Sequence, residues 1–217
     1  SNDLPERTEA NISLSVIGAG GGIQKLAKNK RASWGITYNY ANLALAFAVI
    51  KQRQDYFTNP LFHEGDANFR IKTKKGGMIK YYGYFSYSDL GFRTSDIDSV
   101  QLKNAFSLDN LNSFQNLSWR ENLGKGWKLQ TSVSFSTNKD NLMNELQDAS
   151  NKTLLNTNPM GYAFKNFGLK GRSQYAQGRF VLEKRLKGLN MIRVGSDYFY
   201  SNEKNTYRSF DSSTFSY

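Results

Sequence analysis

Residues that could bind a ligand gather in one stretch, "VIKQRQDYFTNPLFHEG", residues 49–65. It combines cationic and amide groups that can donate hydrogen bonds to anionic or hydroxylated ligands, rings that can stack on flat or sugar-like faces, and hydrogen-bond acceptors. In chain order these residues are Lys51, Arg53, Gln54, Asp55, Tyr56, Phe57, Phe62 and His63. We therefore predict ligand contact here. The alternative is that the stretch extends the flanking strands and that its side chains pair with one another.

Few residues of the chain are suited to catalysis, metal binding or nucleotide binding. His63 is the sole histidine and cysteine is absent, which excludes a thiolate metal site, a metal site built on several histidines, and a hydrolase triad with its own base. The carboxylates of 96–98 and 140–148 lack the spacing and glycine of a calcium loop. The run "VIGAGGGI", 16–23, has Ile23 where a dinucleotide fingerprint needs its third glycine, so it is read as a glycine-rich strand. We expect no enzyme, no metal and no cofactor.

Composition favours strands and permits anionic partners. The 217 residues include 13 Tyr and 15 Phe against 3 Pro, a balance typical of β-structure. The formal net charge of +11 would suit nucleic acid or lipid head groups. Because lysines gather in tight turns and do not follow a groove, a basic nucleic-acid-binding protein is the weaker alternative, and we expect no nucleic-acid partner. No apolar run approaches the roughly 20 residues of a membrane helix, but barrel strands carry a much weaker signal.

Side chains alternate with period two in many segments, as in "WKLQTSVSFSTN", residues 127–138. Such alternation marks a β-strand whose two faces meet different surroundings. We predict that one face points outward to lipid, carrying Trp34, Ile36, Tyr38, Ile79, Tyr81, Phe85, Leu129, Val133 and Phe135. The opposite face would line a watery or plugged interior with Lys80, Tyr82, Gln130, Ser132 and Ser134.

Connections between these segments fall into two length classes. Tight basic turns are predicted around Lys28, Lys75, Lys125 and Gly188, and irregular connectors at 43–66, 89–110 and 139–172. Strict alternation of short and long connections is typical of an outer-membrane barrel, with short periplasmic turns and long outer loops. We therefore predict an all-β, antiparallel, up-and-down membrane barrel of about eight strands. The alternative for any single strand is a half-buried strand of a soluble all-β protein.

Two stretches, 38–92 and 119–140, resemble the barrel region of large TonB-dependent outer-membrane receptors of the Bacteroidetes type. The likeness lies in a strand, a long outer loop with a "K-Q…D" segment, and an "R-x-K-T…G-x-x-K-x-Y" pattern across a periplasmic turn. That pattern is matched by Arg70, Lys72, Thr73, Gly77, Lys80 and Tyr82. The resemblance spans most of 8–202.

This resemblance implies a bacterial outer-membrane protein that takes up a nutrient, an iron chelate or a glycan. It further implies a 22-stranded barrel closed by a plug, with TonB acting through that plug and outer-membrane lipid around the wall. We expect residues 1–217 to form a single barrel segment, since the sequence has too few strands and no recognisable plug domain or TonB box. The alternative is a complete small barrel with a structural or adhesive role.

Overall fold

The computed structural model describes residues 4–154, 165–188 and 190–209, which form one antiparallel sheet. Nine strands lie side by side in chain order. They are β1 (Glu9–Ser15), β2 (Gly18–Leu26), β3 (Ala32–Asn42), β4 (Asp55–Lys72), β5 (Met78–Ser95), β6 (Lys103–Gly124), β7 (Trp127–Gln147), β8 (Phe167–Arg185) and β9 (Met191–Ser209). A short helix, α1 (Ala44–Val49), lies between β3 and β4. The predicted all-β, up-and-down class is confirmed, with nine strands where about eight were expected.

Among the described residues, no helix is long and apolar enough to cross a membrane.

Tight connections meet at one end of the sheet, at 27–31, 73–77, 125–126 and 186–190. Lys125 (φ 49°), Gly76 (φ 79°) and Gly188 (φ 73°) adopt the left-handed backbone that such turns require. The grouping of the four predicted turns at one end is therefore confirmed. We call this the turn end, and the opposite one the loop end.

The predicted connectors were too long. β4 begins at Asp55, β5 runs to Ser95 and β6 starts at Lys103, so the connections are 43–54 and 96–102 in place of 43–66 and 89–110. Likewise β7 runs to Gln147 and β8 begins at Phe167, so the connection predicted at 139–172 is 148–166. Strict alternation also fails, because residues 16–17 make a tight turn between β1 and β2 at the loop end.

Glycines of β2 allow close contact with β3. A Cβ at Gly18 would collide with the backbone oxygen of Tyr40, and one at Gly20 with the side chain of Asn39. β2 pairs with β1 through Gly18 to Gln24 and with β3 through Gly18 to Leu26. The reading of 16–23 as a strand that leaves room for its neighbours is correct for β2, and the tight turn accounts for Val16 and Ile17.

The two predicted faces exist as sets of neighbours. Trp34 pairs with Phe69, which pairs with Tyr81, and the same row continues through Leu117 to Val133. Directly paired residues point to the same side of a sheet, so all nine side chains predicted to face lipid share one side, which we call the outer face. Lys80, Tyr82, Gln130, Ser132 and Ser134 share the other side, the inner face.

Exposure separates the faces in the same way. Val133, Phe135, Lys139 and Asn141 are exposed on the outer face of β7, whereas the intervening inner-face residues from Ser132 to Asn144 are half-buried. In the described residues no second layer covers the inner face of the seven longest strands except α1 and the loops near the loop end. Half-burial without cover is expected on the concave side of a curved sheet.

Candidate functional site: the inner face of the sheet

Near the turn end, the inner face forms a basic concavity of about 760 Å³. Among the described residues, all the charged side chains that line it are cationic: Lys72, Lys80, Arg120, Arg179 and Arg193. Gln130 and Ser132 add uncharged hydrogen-bonding groups. Arg193 pairs with Glu183 at 2.9 Å, and Arg179 lies 3.4 Å from Asp197, so part of this charge is balanced at the β8–β9 side. The surface suits anionic groups.

Further along, the inner face carries a ladder of amides and hydroxyls. Asn138 donates to the Oδ1 of Asn112 at 2.6 Å, and Asn112 donates to the Oγ of Ser86 at 3.4 Å. One row higher, Asn110 donates to Asp140. These side chains come from β5, β6 and β7, which pair directly at these positions. These donors and acceptors, neutral apart from the Asp140 carboxylate, suit water or a hydroxyl-rich ligand.

Nearest the loop end, the inner face becomes apolar. Phe92 and Phe106 pair across β5 and β6 with ring centroids 5.3 Å apart. Phe47 of α1 stacks on Tyr56 at 4.9 Å, and Tyr56 meets Phe92 at 6.2 Å. The same zone continues across the sheet through Leu90, Leu108, Leu142, Leu169 and Tyr207. Leu146 is fully buried there, so this zone is the packed core of the described chain.

The outer face changes in the opposite sense, close to the same level. From the turn end up to Phe85, Phe135 and Tyr200 it is mainly apolar, with many large hydrophobic side chains exposed. The row of Tyr40, His63 and Tyr87 continues through the apolar Leu111 to Lys139, Arg172 and Lys204. From this row onward the outer face is largely charged or polar, and the next row holds Asp89, Asp109, Asn141 and Lys170. Phe57, Leu61 and Met143 are apolar exceptions. The two faces thus exchange polarity within about three residues along each strand, between the outer row of Tyr87 and Lys139 and the inner row of Leu90 and Leu142.

The residues predicted to contact a ligand are not brought into one cluster. Asp55 pairs with Arg93 at 3.5 Å and Arg93 lies 4.6 Å from the ring of Phe57, all on the outer face. Tyr56 packs in the inner apolar zone.

The remaining members of that set lie in three further places. Phe62 is on the inner face, opposite Ser88. His63 is on the outer face, where its Nδ1 lies 2.6 Å from the hydroxyl of Tyr38. Lys51 and Arg53 are exposed in the connection before β4, and Gln54 donates to the backbone oxygen of Arg93. The prediction that these side chains contact a ligand stays a prediction.

One ion cluster fastens two loop-end connections together. The Nζ of Lys165 lies 2.6 Å from Asp96 and 2.9 Å from Asp98, and Asn104 donates to Asp96 at 2.7 Å. Burial would raise the pKa of Asp96, but the hydrogen bonds from Lys165 and Asn104 outweigh it and hold that pKa below its ordinary value. Burial would lower the pKa of Lys165, but its bonds to both carboxylates raise it. The cluster ties 96–102 to the start of β8.

Three further observations bear on what the site can hold. The described residues contain no group of three or more His, Asp or Glu side chains placed to hold a metal ion. The basic concavity and the amide ladder were not foreseen from the sequence, although the inner-face positions Lys80, Gln130 and Ser132 were. No family model, no curated protein and no solved structure matches the chain.

Proposed function

We propose that this chain forms part of the wall of an outer-membrane β-barrel. The observation that carries the proposal is the exchange of polarity between the two faces of the sheet. In a soluble protein, a reversal of the apolar side partway along β5 to β9 needs a second packed layer on the other side of the sheet, and within the described residues no such layer covers the outer face. A bilayer explains the reversal without such a layer, since an apolar outer face meets hydrocarbon up to the membrane boundary and water beyond it.

The height of the apolar outer zone supports this proposal. It runs from Trp127 to Phe135 on β7 and from Ile79 to Tyr87 on β5. Such strand lengths, at about 3.4 Å per residue and a tilt of about 40°, span roughly 20 Å. A barrel's apolar band is about 25 Å tall. The zone therefore nearly matches the thickness that a barrel wall presents to lipid.

Aromatic side chains mark both borders of this zone. Trp119 and Trp127 lie toward the turn end, and Tyr40 and Tyr87 lie where the outer face becomes charged. Amphipathic rings are favoured at membrane–water interfaces, and barrels carry two such girdles. Their placement supports a membrane position between the two rows.

The particular role we propose is in a TonB-dependent receptor for nutrient uptake. The sequence resemblance supports it, together with an interior that offers cationic groups for an anionic iron chelate and amides for a glycan. In this proposal the turn end is periplasmic, further strands of the barrel pair with the outer edges of β1 and β9, and a plug fills the interior and contacts TonB.

Fractionation and labelling test the wall. The intact protein should sediment with outer membranes and need detergent for extraction. Because the chain has no cysteine, Asp98→Cys and Lys28→Cys give single thiols at the loop end and the turn end. An impermeant maleimide should label the first in intact cells and the second only after permeabilisation. Recovery in the soluble fraction, or the reverse labelling, would overturn the proposal.

Uptake tests the receptor role separately. Cells that depend on the protein should grow on a panel of ferric chelates or glycans, and deletion of TonB should abolish the growth that the protein supports. Equal growth with and without TonB would contradict the proposed receptor role and would leave the proposal of a barrel wall unaffected.

A further inference from the structure

A row of cations lies on the outer face immediately beyond the apolar zone. Lys139 pairs directly with Arg172, and Arg172 pairs directly with Lys204. Neighbouring strands are about 4.8 Å apart, so the three residues occupy roughly 10 Å of the sheet's width. Lys170 and Arg208 stand on the same face, further toward the loop end. All five side chains are exposed.

On the described strands of this row, the one outer-face acid is Glu145, beyond Met143, and its carboxylate already accepts hydrogen bonds from Gln147 and Thr153. Asn141 and Thr206 flank Lys170, and within the described residues none of the five cations has an ion-pair or hydrogen-bond partner. The nearest outer-face acid, Asp109, is a diagonal neighbour of Lys139 and accepts a hydrogen bond from Asn141 at 2.7 Å. Like charges directly opposite each other on a sheet are destabilising. The row therefore favours an anion.

Position decides which anion fits. Thr137, Gln174 and Asn202 form one uncharged polar row between the cations and the apolar side chains Phe135 and Tyr200. A group that binds the cations thus lies beside the wall at the height where hydrocarbon ends. This inference rests on the proposed barrel wall. We propose that the cation row binds the phosphate groups of an outer-leaflet lipid head group, through Lys139, Arg172 and Lys204 with Lys170 and Arg208 behind them.

The cations can act together on such a head group. Arginine offers a planar pair of donors that fits two phosphate oxygens, and lysine adds a compact charge on a flexible stem. Each basic side chain near a membrane surface strengthens the binding of anionic lipid about fivefold. Three neighbouring charges predict a preference of about a hundredfold for phosphorylated over dephosphorylated lipid.

Lipid titration followed by native mass spectrometry tests the proposal. The intact protein in detergent is titrated with diphosphorylated lipid A and with the same lipid after dephosphorylation. The wild type should bind the first about a hundredfold more tightly. The triple variant Lys139→Gln, Arg172→Gln, Lys204→Gln should lose that difference. Inorganic phosphate at equal concentration should not compete, since it lacks the acyl chains that hold the head group at this height.

A matched control separates this site from net charge. Lys28→Gln, Lys74→Gln and Lys187→Gln remove the same three charges from turns at the other end, and this variant should bind lipid as the wild type does. Equal binding by the wild type and the outer-face triple variant, with both inserted in the outer membrane, would overturn this proposal alone. Competition by inorganic phosphate would point to a free-anion site. Failure of the wild type to insert would overturn the barrel wall.

Discussion

Replacement of Asp96 by Asn should loosen the 96–102 connection. In the structure the Asp96 side chain is 2% exposed and Lys165 is 18% exposed, with 2.6 Å between the carboxylate and the Nζ. The substitution keeps the shape of the side chain and removes its charge. Lys165 then faces a neutral amide, with Asp98 as its remaining carboxylate partner in the cluster.

The expected cost follows from these contacts. A hydrogen bond to a charged group contributes about 1.5–3 kcal/mol, and removing one partner of a fully buried pair costs about 3–5 kcal/mol. Because Lys165 keeps Asp98 and some contact with water, we expect about 2 kcal/mol. Opening of the connection should become about 30-fold more frequent, at 1.4 kcal/mol per factor of ten.

Hydrogen exchange measures that opening directly. The amide of Asp96 donates to the oxygen of Leu102 at 2.9 Å, and the amide of Leu102 donates to Ser99. Both should exchange about 30-fold faster in Asp96→Asn. The control Asp98→Asn removes a bond to the same lysine from a side chain that is 75% exposed, and should change exchange by twofold or less. Equal acceleration in both variants would refute the reasoning.

Acid should act as the substitution does. The pKa of Asp96 is held below its unfolded value, so its contribution is present above about pH 4 and is lost as the pH falls through the lowered folded pKa. Wild-type protection of the two amides should therefore fall in acid. The Asp96→Asn variant should show no such fall from this group, and a parallel pH dependence in both proteins would contradict the assignment.

Three further substitutions have expected outcomes. Thr73→Val removes the hydroxyl that accepts from the Gly77 amide at 2.8 Å and donates to Glu121 at 3.0 Å. The free energy of opening the 73–77 turn, measured by hydrogen exchange, should fall by about 1–2 kcal/mol. Phe47→Ala should release α1 from Tyr56 and increase proteolysis within 50–54, and unchanged cleavage would show that this contact does not hold the helix. Arg53→Ala should leave exchange unchanged, so any loss of ligand uptake in that variant would report contact with the ligand.

The sequence was informative wherever strands alternate regularly. Val133 and Ser134 were assigned to opposite faces because period two is a local property that the strand preserves. The turn around Lys125 was found because a glycine follows a basic residue between two alternating runs. These elements depend on neighbouring residues alone.

Strand ends and the candidate site depend on distant contacts. Leu90, Phe92, Phe106 and Leu108 alternate in the phase opposite to Phe85. The hydrophobic pattern is therefore irregular over 89–110, and the sequence predicts a connector there. The four side chains pack together on the inner face, where Phe92 contacts Phe106 and also Tyr56, on which Phe47 of α1 stacks. The sequence predicts one connector over 43–66, but the strand that begins at Asp55 sends successive side chains to opposite faces. Over 89–110 the apolar residues Leu90, Phe92, Phe106 and Leu108 still alternate, but in the reversed phase, and this alternation is the sequence signal that the strands continue.

The exchange of polarity is tested most directly by a nitroxide scan along β7. Single cysteines at Val133, Ser134, Asn141 and Leu142, in the intact protein in lipid bilayers, carry a spin label whose collisions with oxygen and with a water-soluble nickel chelate are measured. We expect oxygen contact at 133, chelate contact at 141, less oxygen contact at 134 than at 133, and neither contact at 142. Chelate contact at both 133 and 141, or shielding of both, would contradict the account.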